Sequence, residues 1–172
     1  MKFFIAILFF LLATTAQGAS VLWDESVDGA LNPSFGDVRD FGTLGNGEYD
    51  IRLFDNTSVP KTWTVNMDSG TNMSAIILVN WQGAAGQGAL NVTKTSNGAS
   101  WTTFFDEDDE YTDLLQVGSL LGTGDEYRMT TMNISSGTPN YTVRLRIVPE
   151  PTTALLLGLG LVGLGVSVRR TQ

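Results

Sequence analysis

The sequence predicts an all-β protein: an antiparallel β-sandwich of jelly-roll or immunoglobulin-like type, flanked by an N-terminal signal helix and a single C-terminal transmembrane helix. Three observations lead there. Segments such as "KTWTVNM" and "NYTVRLRIV" alternate apolar and polar side chains with a period of two, the mark of a strand with one buried face. Turn chemistry at Gly45-Asn46-Gly47, Asp68-Ser69-Gly70, Asn97-Gly98 and Ser136-Gly137 separates such segments. Between the termini no stretch carries helical periodicity.

The elements follow in order. Residues 1–18 have one early positive charge at Lys2, an apolar run, then small polar residues, which is the layout of a secretory signal peptide. The apolar run is shorter than the ~20 residues that span a bilayer, so removal is expected, with Ala16 at the −3 position. Residues 19–148 form the extracytoplasmic domain. Within it, "KTWTVNM" places Trp63, Val65 and Met67 on one face. "MSAIILVNW" is denser in apolar residues and reads as a central strand. "GALNVTKTS", "SWTTFFD" and "DEYRMTTMNIS" supply three more strands. "NYTVRLRIV" turns Tyr141, Val143, Leu145 and Ile147 to one side, and Thr142, Arg144 and Arg146 to the other.

Composition narrows the function. The chain has 172 residues, and residues 19–148 carry 7 Lys and Arg against 17 Asp and Glu. So negative a surface repels nucleic acid and anionic headgroups and suits cations or neutral, hydroxyl-rich partners. There is no cysteine, so no disulfide supports the exported domain. There is no histidine either, which removes the commonest general base and nearly all zinc chemistry. The chain therefore reads as non-catalytic.

Residues 149–172 hold the most specific pattern. Pro149 and Pro151 fix φ and lack backbone donors, and Glu150 before a proline is pushed extended. The tripeptide is expected to be a stiff handle that neither the last strand nor a membrane helix absorbs. An apolar run follows at 154–168; as a helix it is about 22 Å long, a marginal span for ~30 Å of hydrocarbon. Arg169 and Arg170 then stop transfer and fix the cytoplasmic side. The spacing of "GLGLVG" at 158–163 matches a dinucleotide fingerprint, but no strand precedes it and it reads as chance.

In this order and position, Val148-Pro149-Glu150-Pro151-Thr152, the Leu/Gly/Val run and the paired arginines resemble the PEP-CTERM sorting signal of Gram-negative, exopolysaccharide-making bacteria. The resemblance implies recognition at Pro149, Glu150 and Pro151 by exosortase, a membrane-embedded cysteine protease. It also implies Sec-dependent export, a transient stay in the inner membrane, and delivery to the cell surface, outer envelope or biofilm matrix. Two basic residues stand here where many members end in three or more. In the middle of the chain, "LWDESVDGALNPSF" with "GTLGNGEYDI", and "DLLQVGSLLGTGDEYRMTT" with "NYTVRLRIV", are loosely similar to pre-peptidase C-terminal domains. That similarity implies a small accessory β-sandwich and no specific ligand.

Two further candidates come from the residues. "FFDEDDEY" places Asp106, Asp108, Asp109 and Glu110 in one run, a candidate calcium site, although adjacent carboxylates cannot all converge on one ion. Its other reading is a solvated loop, as for the smaller cluster Asp24, Glu25 and Asp28. Trp81 and Trp101, nearer strand ends than Trp63, are candidates for stacking on sugar rings; the other reading is core packing. Asn56, Asn72, Asn91, Asn133 and Asn140 lie in N-x-S/T triplets, which in a bacterium reflect composition. The expectation is a surface or exopolysaccharide-matrix protein without a cofactor, calcium excepted; the alternative is a glycan- or calcium-binding module.

Overall fold

The computed structural model describes residues 18–32, 34, 36–54, 59–82, 87–114, 125–134, 139–149 and 158. The signal helix expected at 1–18 lies outside these residues except for Gly18, and the span expected at 154–168 except for Gly158, which is helical and exposed. Among the described residues no helix is long and apolar enough to cross a membrane.

Nine strands are described: β1 (Ser20–Asp24), β2 (Arg39–Leu44), β3 (Gly47–Phe54), β4 (Lys61–Met67), β5 (Thr71–Gln82), β6 (Gln87–Lys94), β7 (Ser100–Asp106), β8 (Glu126–Asn133) and β9 (Asn140–Pro149). One helical turn, α1 (Glu25–Asp28), and a 3-10 turn (Glu107–Asp109) complete the set. The strands make an all-β sandwich. Sheet A has the order β1-β3-β9-β5 and sheet B the order β2-β4-β8-β6-β7. From β1 to β6 the chain changes sheet at every connection, and among the described strands sequence neighbours pair only in the β6–β7 hairpin.

The sheets are mixed rather than purely antiparallel. β1 pairs parallel to β3, and β2 parallel to β4, at one edge of each sheet. Parallel pairing follows from the sheet changes, because each crossover through the opposite sheet returns the chain in its starting direction. The apolar run in β5 also corrects the expectation of a central strand: β5 is the outermost strand of sheet A. Its free edge is covered by residues 111–114, through Tyr111 N–H to Leu78 O (2.6 Å), Leu78 N–H to Thr112 O (3.3 Å) and Leu114 N–H to Ile76 O (2.6 Å). Covering an edge removes the unpaired groups that promote aggregation.

The core follows the alternation. On β9, Tyr141, Val143, Leu145 and Ile147 are buried, facing Ile51 and Leu53 of β3 and Met73, Ile76 and Leu78 of β5 along the same inner face. Two register shifts in β5, between Met73 and Ala75 and between Val79 and Trp81, keep its inward residues opposite those of β9. Such bulges insert one residue and restore the face of those beyond it. Sheet B contributes Trp63, Val65, Leu90, Val92, Phe105, Tyr127 and Met129. Gly88 sits opposite Phe105, and a Cβ there would overlap the Phe105 ring. That ring meets Trp81 and Tyr141 edge-on at 5.9 and 5.5 Å, joining the two sheets.

Polar clasps close the same end. Glu25, in α1 after β1 of sheet A, accepts from Leu31 N (2.6 Å), Phe54 N (2.7 Å) and Lys61 Nζ of sheet B (3.0 Å). Its side chain and that of Lys61 are 4% and 3% exposed. Asn32 extends the link: its Oδ1 accepts from Thr62 N (2.6 Å) and its Nδ2 donates to Thr62 O (3.0 Å) and Asp37 O (2.8 Å). Asn32 thereby occupies a strand-like position beside β4 just before the chain enters β2.

A buried charge is costly unless paired, and breaking such a pair costs ~3–5 kcal/mol. Glu25→Ala strands Lys61 and two backbone donors, so it is expected to lower unfolding free energy by roughly that amount. Lys61→Met leaves Glu25 with its two N–H donors and is expected to cost clearly less. Urea unfolding of both variants checks the order, and equal losses would refute it.

Candidate functional site

β9 carries the chain from the core to its C-terminal motif. Its inward residues are fixed by burial, so its outward residues are fixed too. These form an ordered set of charge pairs across strands. Asp50 of β3 sits opposite Arg144 and takes two parallel bonds from it, from Nε (2.7 Å) and Nη2 (2.9 Å). Glu48 sits opposite Arg146 and accepts from its Nε (2.7 Å). On the other side of β3, Arg52 Nη1 donates to Asp24 Oδ2 of β1 (3.0 Å).

The pairs shift the charged groups in the expected directions. The Ser26 hydroxyl first, and the Arg52 guanidinium after it, hold the Asp24 carboxyl below its ordinary value against the opposing effect of desolvation. The Asp50 carboxylate holds Arg144 above its ordinary range. In sheet B, Lys94 donates to Asp125, which lowers the Asp125 carboxyl and raises the Lys94 ammonium.

β9 ends at Pro149, which is exposed and in register with Thr71 of β5. This corrects the expectation that the last strand stops short of the motif. Proline lacks an N–H but its φ is compatible with extended backbone, so it can end a strand whose next donor is not needed. The first residue of the Pro-Glu-Pro tripeptide is thus part of sheet A. Glu150, Pro151, Arg169 and Arg170 lie outside the described residues.

The other candidates sit in contacts of their own. Asp106 caps the 3-10 turn: its Oδ1 accepts from Asp108 N (3.0 Å), and Asp109 Oδ2 accepts from Asp106 N (3.1 Å). This reciprocal box uses two of the carboxylates locally. Asp108 and Glu110 are exposed. Among the described residues no group of three or more acidic side chains is placed to hold a metal ion. In the second acidic cluster, Asp24 accepts from Ser26 N (3.0 Å) as the cap of α1, Glu25 is the buried clasp, and Asp28 Oδ2 accepts from Asp24 N (2.9 Å).

Trp81 and Trp101 are half-buried against the core. One face of Trp81 is stacked on Tyr141 at 5.6 Å and 17°. The indole N–H groups of both are buried with no partner among the described residues. Their rings thus serve packing between the sheets. What the sequence did not single out is the charge ladder of sheet A and the exposed Tyr111 beside it. A signal for the ladder existed in "GEYDIRLF", where Glu48, Asp50 and Arg52 alternate with Tyr49, Ile51 and Leu53.

A family model for the PEP-CTERM protein-sorting motif matches residues 148–170. No curated protein matches the chain. The matched segment begins at the last residues of β9 and contains all of Pro149, Glu150, Pro151, Arg169 and Arg170. The motif implies export, sorting to the envelope or surface, and processing by an exosortase.

The depressed carboxyls set the acid stability. A carboxyl whose folded value is lowered contributes stability that is present above its unfolded value and lost as pH falls through the folded one. Asp24 and Asp125 both act in this sense. The urea midpoint is therefore expected to fall between about pH 5 and pH 2.5, and Asp125→Asn to flatten part of that fall. Lys94, raised, acts in the opposite sense and loses its contribution only as pH climbs through its elevated value. An Asp125→Asn profile parallel to wild type would contradict the assignment.

Proposed function

We propose that this chain, which carries a PEP-CTERM sorting motif, is a non-catalytic surface or exopolysaccharide-matrix protein. It is released from a transient inner-membrane anchor by exosortase at Pro149-Glu150-Pro151. The observation that carries the reading is the motif match at residues 148–170, placed directly after the last buried residue of β9, Ile147. Three facts support the rest. The leader at 1–18 has the layout of a Sec signal peptide. The net charge of −8 favours solubility and disfavours nucleic acid. The absence of histidine and cysteine removes the usual nucleophile–base pairs.

The test is the intact mass and C-terminal peptide of the protein recovered from the envelope and medium of its native host. The mature chain is expected to end within residues 148–152, and Glu150→Ala is expected to accumulate at full length in the inner membrane. A wild-type chain that still carries Arg169 and Arg170 would overturn the reading.

A further inference from the structure

The outer face of sheet A is built differently from a scattered polar surface. Pairing across the sheet sets its side chains in rows. One row is Asp24, Arg52, Thr142 and Val79; the next is Val21, Asp50, Arg144 and Ile77; at the end stand Phe54, Asn140 and Gln82. A groove of about 390 Å³ lies over these rows, lined by Asp24, Arg52, Asn80, Gln82, Asn140 and Arg144 among others. That is within the ~300–1,000 Å³ of small-ligand sites.

Two backbone outliers flank it. Among the described residues only Asn80 (φ 64°) and Tyr111 (φ 66°) are non-glycine residues with positive φ. Asn80 forms the bulge of β5 at the rim of the groove. Tyr111 belongs to the segment that extends sheet A beyond β5, where the pairing of Ile77 with Asp113 sets it opposite Val79. A left-handed conformation is rare for a ring-bearing residue, and backbone strain of this kind concentrates at functional sites. Tyr111 N–H is held by Leu78 O, while its side chain is 71% exposed and within electrostatic reach of Arg144. The fold thus holds an aromatic ring in the open beside a fixed row of polar groups.

The chemistry of the row selects the ligand. Asp24, Arg52, Asp50 and Arg144 cancel each other's charge, so the groove is locally neutral on a protein of net charge −8. A charged polymer would have to compete with those pairs. A neutral one does not: Asp50 keeps free lone pairs, Arg144 keeps unused N–H groups, and Asn80, Gln82 and Asn140 each offer a donor and an acceptor. Adjacent sugar hydroxyls, each donor and acceptor at once, match that alternation, and the apolar face of a sugar ring matches a tyrosine face. The groove runs along β9 from Asn140 to Arg144, so the sorting motif, which leaves from Pro149, lies roughly 17 to 30 Å farther along the strand.

We infer that this groove binds a neutral, hydroxyl-rich polysaccharide, with Tyr111 as the stacking platform and the Asp50–Arg144 pair, Gln82 and Asn140 as hydroxyl contacts. The inference rests on the surface-or-matrix reading above only for where the ligand is met. It differs from the sugar-stacking expectation for Trp81 and Trp101, whose rings pack against the core.

The test is affinity electrophoresis of the full chain in detergent through gels containing dextran, glucomannan or galactomannan, with anionic alginate for comparison. At least one neutral polysaccharide is expected to retard the wild type. Tyr111→Asn, which keeps a residue tolerant of left-handed backbone, is expected to weaken binding about tenfold at an unchanged melting temperature. Gln82→Ala is expected to weaken it too, and Phe104→Asn, on the outer face of sheet B, to leave it intact. Retardation by alginate alone or by none of the four overturns the inference. So does wild-type binding by both Tyr111→Asn and Gln82→Ala. Protease accessibility on intact native cells separates the two readings: a surface-exposed protein without binding sinks this inference alone, whereas full-length retention in the inner membrane sinks the proposed function whatever the binding.

Discussion

The register of β9 between β3 and β5 is the constraint on which the rest depends. Its four inward side chains are all buried, and full burial of such side chains stabilises by ~1.5–3 kcal/mol each. A slip of one residue would exchange Tyr141, Val143, Leu145 and Ile147 for Thr142, Arg144 and Arg146, bringing two guanidinium groups into the core. The same parity sets Arg144 against Asp50 and Arg146 against Glu48, and it brings Pro149 to the edge of the domain. Core, charge ladder and motif position are three results of one alternation. The two bulges of β5 belong to this account, since without them a twelve-residue strand could not stay in phase with β9.

A domain without cysteine needs another means of closing its open end. Here aromatic packing and buried polar groups supply it. Trp81, Tyr141 and Phe105 meet between the sheets, and close by Glu25 and Asn32 tie the segment after β1 to the start of β4. Glu25 is satisfied by two backbone donors as well as Lys61, which separates it from a simple ion pair. Removing the cation leaves a hydrogen-bonded carboxylate, whereas removing the carboxylate leaves three unsatisfied donors. That asymmetry makes Glu25 a structural residue although it lies in a run that reads as acidic and solvated.

What was legible in the sequence is what local pattern encodes. "KTWTVNM" and "NYTVRLRIV" declare β4 and β9 by alternation, and the tail declares itself because its parts are covalently ordered. β1 and β2 are short edge strands in parallel pairs whose partners lie at least 20 residues away, and no local signal carries such a pairing. The apolar density of β5 suggested a central strand. In the structure the covering of its edge by residues 111–114 and the half-burial of Ile77 and Val79 account for that density. The acidic run was visible but its use was not, because a capping box depends on a turn that the charge pattern does not reveal. The groove on sheet A was invisible for a plainer reason. It joins residues near positions 24, 52, 82, 140 and 144, each ordinary in its own segment, and only the strand order brings them together.

The meeting of strand and motif bears on how such a protein can be cut. Consecutive Cα atoms are about 3.8 Å apart, so a bond within Pro149-Glu150-Pro151 lies within roughly 10 Å of the last paired residue of sheet A. A protease acting there works next to the folded edge of sheet A. The position also protects the product. Ile147, the last buried residue of β9, is 1% exposed, and Val148 and Pro149 beyond it are not in the core. A cut at the tripeptide leaves every inward side chain of β9 in place, whereas a cut a few residues earlier would take Ile147 or Leu145 and open a cavity between the sheets. The matched segment thus begins where the core no longer needs the chain.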